Sequence, residues 1–112
     1  MKNENNRPTT YSDTVMTKQH ASRTVIVVNP QGLHARPVDL FVKLANQFES
    51  RIEVIKGGER VDGKSILSVL TLAAEQGTQL SIEATGHDAE AALDALAELI
   101  EKGFAEEEVN PQ

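Results

Sequence analysis

A histidine stands at what the sequence marks as a helix entrance, with an arginine two residues on: Asn29-Pro30-Gln31-Gly32-Leu33-His34-Ala35-Arg36-Pro37. Pro30 and Gly32 shape a turn. Pro37 is tolerated in a first helical turn, where backbone N–H groups have no intrahelical acceptor. His34 therefore falls at or beside the N-cap, where unpaired N–H groups and the positive end of the helix dipole converge. Such surroundings disfavour the imidazolium, keep a ring nitrogen nucleophilic and can hold a phosphoryl dianion once it is attached. Arg36 adds a guanidinium suited to phosphate. Phosphoryl transfer asks mainly for positioning and charge stabilisation. A plainer reading accounts for the same spacing: His34 only caps a helix and Arg36 is a solvated charge. Spacing by itself favours that plainer reading. A metal site is a poor third, because no second histidine lies at helical spacing from His34.

A second hydroxyl-bearing position is Ser65, which opens a short apolar helical pattern. Its simplest role is N-cap, accepting a hydrogen bond from an N–H of the next turn. Phosphate on Ser65 would also be favoured by the helix dipole, so modification need not unfold the element. Residues Gly58-Glu59-Arg60-Val61-Asp62-Gly63-Lys64-Ser65 match the G-x-x-x-x-G-K-[ST] phosphate-loop pattern. The match is rejected. A hairpin strand takes up the loop, and the remaining chain cannot supply the parallel sheet of a nucleotide-binding domain. Lys64 is then expected on the protein-facing surface.

Elements that would position these residues follow from periodicity. Thr24 to Val28 is β-branched and enters the Asn29–Gly32 turn, so it reads as a strand. Val38, Phe41, Val42, Ala45 and Phe48 recur at helical spacing, which predicts a helix over Ala35–Phe48. Ile52 and Val54 alternate with charged neighbours, and Gly57-Gly58 supplies a tight turn into a short strand near Arg60–Asp62. A short helix from Ser65 carries Ile66, Val69, Leu70 and Ala73 toward a stop at Gly77. Leu80, Ile82 and Ala84 alternate with polar residues in a further strand. Ala89, Ala92, Leu93, Leu96, Leu99 and Ile100 form one helical stripe ending near Gly103, with Asp88 as its cap. The order β-α-β-β-α-β-α with wet-faced strands predicts an α+β fold. It is an open-faced sandwich of four antiparallel strands with three helices on one face.

Composition bounds the rest. The 112 residues, 39% of them hydrophobic, allow one domain and not two. The net charge of −6 argues against a nucleic-acid partner and for protein partners. Absence of cysteine excludes disulfides and Cys-based metal sites and suits a cytoplasmic protein. No stretch approaches the roughly 20 apolar residues of a membrane span, and Met1–Ala21 lacks a signal-peptide core. The expected layout is a flexible tail over residues 1–22, the folded domain over 23–104 and an acidic tail over 105–112. His20 then falls in the tail and His87 in a turn, both solvated.

The segment Gly32-Leu33-His34-Ala35-Arg36-Pro37 resembles the active-site signature of the HPr family, histidine phosphocarriers of the phosphoenolpyruvate-dependent sugar phosphotransferase system. The similarity covers about Thr24 to Gly103, including Lys64-Ser65-Ile66-Leu67 and Glu75-Gln76-Gly77-Thr78. The resemblance implies that His34 accepts phosphate on Nδ1 from phosphorylated enzyme I and passes it to enzyme II A domains, with Arg36 as the phosphate-side charge. It implies a carrier rather than an enzyme, a monomer, and no cofactor. It further implies regulatory phosphorylation of Ser65 by HPr kinase/phosphorylase, although Ser68 stands where many such proteins have glycine. An alternative within the same family is a regulatory module whose Ser65 state selects a transcriptional regulator. The expected partner surface is apolar with basic edges and is drawn from Leu33, Arg36, Lys43, Ile66, Leu67 and Val69 around His34.

Overall fold

Alternation along the strands decides which way the sheet faces. In the strand Gln79–Gly86, Leu80, Ile82 and Ala84 are buried while Ser81 and Glu83 reach the other side. In Arg51–Lys56 the buried pair is Ile52 and Val54. The computed structural model describes residues 19–105. The elements run β1 (Gln19–Ile26), α1 (Ala35–Ala45), β2 (Arg51–Lys56), β3 (Glu59–Asp62), α2 (Ile66–Leu70), β4 (Gln79–Gly86) and α3 (Ala89–Glu101). The sheet order is β1-β4-β2-β3 and every pairing is antiparallel, so β1 and β2 run the same way with β4 between them. Helices cover one face of this open sheet, and the α+β architecture expected from the sequence is the one found.

The core lies between sheet and helices. Val38, Phe41 and Val42 of α1 join Leu93, Leu96 and Ile100 of α3 over Ile52, Leu80 and Ile82. The other face is polar. There Arg60 Nη1 donates to Glu53 Oε1 and Glu83 Oε1 at 2.7 Å each. Arg60 thereby holds the Glu83 carboxyl below its usual range. Helix α3 ends in a Schellman closure, in which Gly103 (φ 65°) turns the chain and the N–H of Phe104 reaches the Leu99 carbonyl at 2.9 Å. That turn drops Phe104 into the core, where it is fully buried.

Several boundaries differ from those the sequence suggests. Strand β1 begins at Gln19, because residues 19–22 pair with Glu83–Gly86 although they carry little apolar signal. His20 therefore sits in a strand, sharing a 2.9 Å hydrogen bond between its Nδ1 and Thr85 Oγ1. Residues 1–18 and 106–112 lie outside the described residues. Helix α1 stops at Ala45 rather than Phe48, since Asn46 turns its side-chain amide back onto the Val42 carbonyl at 2.9 Å. Helix α2 is limited to Ile66–Leu70, and the chain from Thr71 to Thr78 crosses to β4 as a connector. The stretch with the phosphate-loop pattern contains β3, so its backbone is engaged in the β2–β3 hairpin.

Candidate functional site

The site begins with a turn that only glycine can close. The Gly32 N–H donates to the Asn29 carbonyl at 3.0 Å, and Gly32 has φ +71°. A β-carbon at Gly32 would lie 2.5 Å from the Ala74 carbonyl oxygen and 2.9 Å from Glu75 Cα. The two backbones come this close because the next residue, Leu33, donates its N–H to that same Ala74 carbonyl at 2.8 Å. On the far side, Ala73 takes a positive φ of 50° between buried Leu72 and Ala74, turning the connector toward the loop. Lys56 Nζ secures the connector further by donating to the Leu72 carbonyl at 2.8 Å.

His34 follows as the N-cap of α1, with φ −93° and ψ −170°. Its carbonyl starts the helix by accepting from the Val38 N–H at 3.0 Å. Its side chain makes no cap hydrogen bond, and the residue is half-buried. Ala35 and Arg36 supply the first-turn N–H groups, Pro37 supplies none, and the first turn holds no acidic residue. Arg36 is exposed. An imidazole thus sits at a positive helix end whose charge no first-turn carboxylate offsets, with a guanidinium two residues on.

The second hydroxyl site is built as a cap. Ser65 Oγ accepts from the Ser68 N–H at 3.2 Å and heads α2. Beside it, Ile66 and Leu67 are exposed, Leu67 by 76%. Lys64, expected on the surface, is half-buried. Its Nζ donates to the Phe48 carbonyl at 2.7 Å and ties the start of α2 to the end of α1.

The expected partner surface divides. Lys43 is exposed and pairs with Asp39 one turn earlier at 3.1 Å, and Ile66, Leu67 and Arg36 are also open to solvent. Leu33 and Val69 are not, at 7% and 1% exposure. Both lie next to surface residues in sequence, but Leu33 is drawn under the loop by its Ala74 bond and Val69 faces the core from α2. Asn29 was legible only as a turn residue, yet it is buried beneath the loop and donates from Nδ2 to the Gly32 carbonyl at 2.7 Å.

A family model described as the PTS HPr component phosphorylation site matches residues 21–102, which hold both the His34 turn and the Ser65 cap. The chain belongs to the HPr family. The phosphocarrier protein HPr of Neisseria meningitidis is 41% identical over 86 residues, covering 77% of this chain and 97% of that protein. The crystal structure of HPr from Thermoanaerobacter tengcongensis superposes with a TM-score of 0.74 at 41% identity, covering 76% of this chain and 96% of that one. A second crystal structure from that organism, described as an HPr dimer, has a TM-score of 0.61 at 42% identity and covers 71% and 92%. This HPr chain is thereby a phosphocarrier component of the phosphotransferase system, not a catalyst in the usual sense. Among the described residues no helix is long and apolar enough to cross a membrane.

Proposed function

We propose that His34 is the residue that carries the phosphoryl group, taken from phosphorylated enzyme I and delivered to enzyme II A domains during sugar uptake. The observation that carries this reading is His34 at the N-cap of α1 with its side chain withheld from capping. A ring nitrogen, Nδ1 in this family, uses its lone pair to form the N–P bond while the bond from phosphorus to the donor breaks. The donor keeps that electron pair, and delivery to the next protein runs the same exchange forward once more. First-turn N–H groups and Arg36 stabilise the phosphoryl oxygens. The exposed Ile66, Leu67 and Lys43 form the docking face, which excludes water while the group moves. Phosphoenolpyruvate with enzyme I should place an acid-labile, base-stable label on the protein, and His34→Ala should abolish it. Undiminished labelling of that variant would overturn the assignment.

Ser65 supports a regulatory reading alongside the first. It heads α2 directly beside exposed Ile66 and Leu67, so a phosphate there would change the charge of the docking face itself. ATP with HPr kinase/phosphorylase should label Ser65, and binding to a transcriptional regulator should depend on that label. A kinase reaction that leaves Ser65 unlabelled removes this reading, and Ser68 in place of glycine is the feature to mutate next.

A further inference from the structure

Asn29 and Ser50 are the buried polar residues among those described, and they differ in how well they are satisfied. Ser50 has both its N–H and its hydroxyl bonded to Asp88. Asn29, only 5% exposed, uses Nδ2 on the Gly32 carbonyl, while its Oδ1 is buried with no hydrogen-bond partner among the described residues. A buried amide with one end unsatisfied is a worse core residue than an apolar side chain of similar size. Stability does not account for it. What the amide does uniquely is hold one carbonyl: the Gly32 oxygen accepts from Asn29 Nδ2 at 2.7 Å and from the His34 N–H at 3.0 Å.

From this convergence we infer that Asn29 is a positioning residue for phosphoryl transfer, acting on His34 through the Gly32 carbonyl. The bond from the His34 N–H spans only two residues, a tight ring with poor geometry when left to itself. With the carbonyl pinned from below by Asn29, the peptide planes on either side of Leu33 have one orientation. The backbone from which the imidazole projects is then set before a partner arrives. Asn29 itself cannot touch a partner, because the loop covers it.

The inference rests on His34 being the acceptor, and the test separates the two. The variants are Asn29→Ala and Asn29→Asp, the second keeping the shape while replacing the donor with an acceptor. With wild type labelled at His34 as reference, phosphorylation by enzyme I should show kcat lowered about tenfold or more in both variants. KM should stay within about twofold, since misplacement of the nucleophile slows the step without altering docking. Amide hydrogen exchange should be about tenfold faster at His34 and unchanged at Ile82 in the central strand. If wild type proves unlabelled at His34, the proposed function fails, and the exchange at His34 still judges Asn29. Wild-type kcat in a folded variant, a loss confined to KM, or unaltered His34 exchange would overturn the inference. So would loss of Ile82 protection in both variants, because Asn29 would then serve the fold as a whole.

Discussion

Helices α1 and α3 both begin without a side-chain cap bond to their own first turn, yet the two N-cap residues are used in opposite ways. Asp88, heading α3, turns its carboxylate onto the start of β2, where it accepts from the N–H groups of Glu49 and Ser50 at 2.9 Å each and from the Ser50 hydroxyl. These bonds join points 38 and 39 residues apart. Together they hold its pKa down at about 2, with the Ser50 hydroxyl the largest cause. Gly86 makes room for the clamp, since a β-carbon there would press on Ser50. His34, heading α1, has its backbone fixed through Gly32, Ala74 and Asn29, and its side chain makes no cap bond to the helix it starts. A helix N-terminus can thus be tied into the fold through the side chain of its first residue, as at Asp88, or through the backbone before it, as at His34.

The largest effect that tests this contrast is loss of the phosphohistidine label in His34→Ala with little change in stability, within about 0.5 kcal/mol by denaturant melt. A loss of several kcal/mol there would mean that the ring serves the fold after all. Next comes Gly32→Ala, which meets the Ala74 carbonyl at a positive φ and should destabilise by roughly 3 kcal/mol while slowing phosphorylation. Asp88→Ala should cost roughly 2 kcal/mol and leave phosphorylation of the folded fraction unchanged, the reverse of His34→Ala.

The same clamp has a pH signature. Asp88 has a depressed folded pKa, so its contribution is complete above about pH 4 and is lost as pH falls toward about 2. His87 beside it is shifted the other way, raised from 6.5 first by its hydrogen bond to Glu49 and then by Asp88. Its contribution is present below about pH 6.5 and fades as pH rises through the raised value. Thermal melts should therefore place the clamp's maximum between about pH 4 and 6.5, and Asp88→Ala should flatten the acidic limb. The smallest effect belongs to Ser65→Ala. Loss of a single cap bond to Ser68 should cost about 1 kcal/mol.

Legibility in the sequence follows the range of the interactions. Element order, sheet class and the N-cap position of His34 were readable because alternation, helical stripes and the Gly32/Pro37 punctuation are local signals. The Ser65 cap was readable for the same reason, its bond reaching only three residues. Leu33 and Val69 misled because neighbours in sequence share a surface only if the backbone keeps them there, and a bond to Ala74 decides otherwise for Leu33. The role of Asp88 was half visible: a cap by position, but with partners set by the fold. Residues 19–22 gave no strand signal because their pairing with β4 is made by backbone atoms, which any sequence possesses.

The sheet order carries a consequence for the newborn chain. Among the described residues strand β1 has β4 as its sole neighbour, and their register joins Gln19 to Gly86. The brace under the histidine loop likewise waits for Ala74. On the ribosome, the β2–β3 hairpin can close as soon as it emerges, while the first strand made has nothing to pair with until the last strand is out. A truncated or half-synthesised copy therefore has the histidine but not the loop that presents it. The histidine loop is complete only in a chain made through β4.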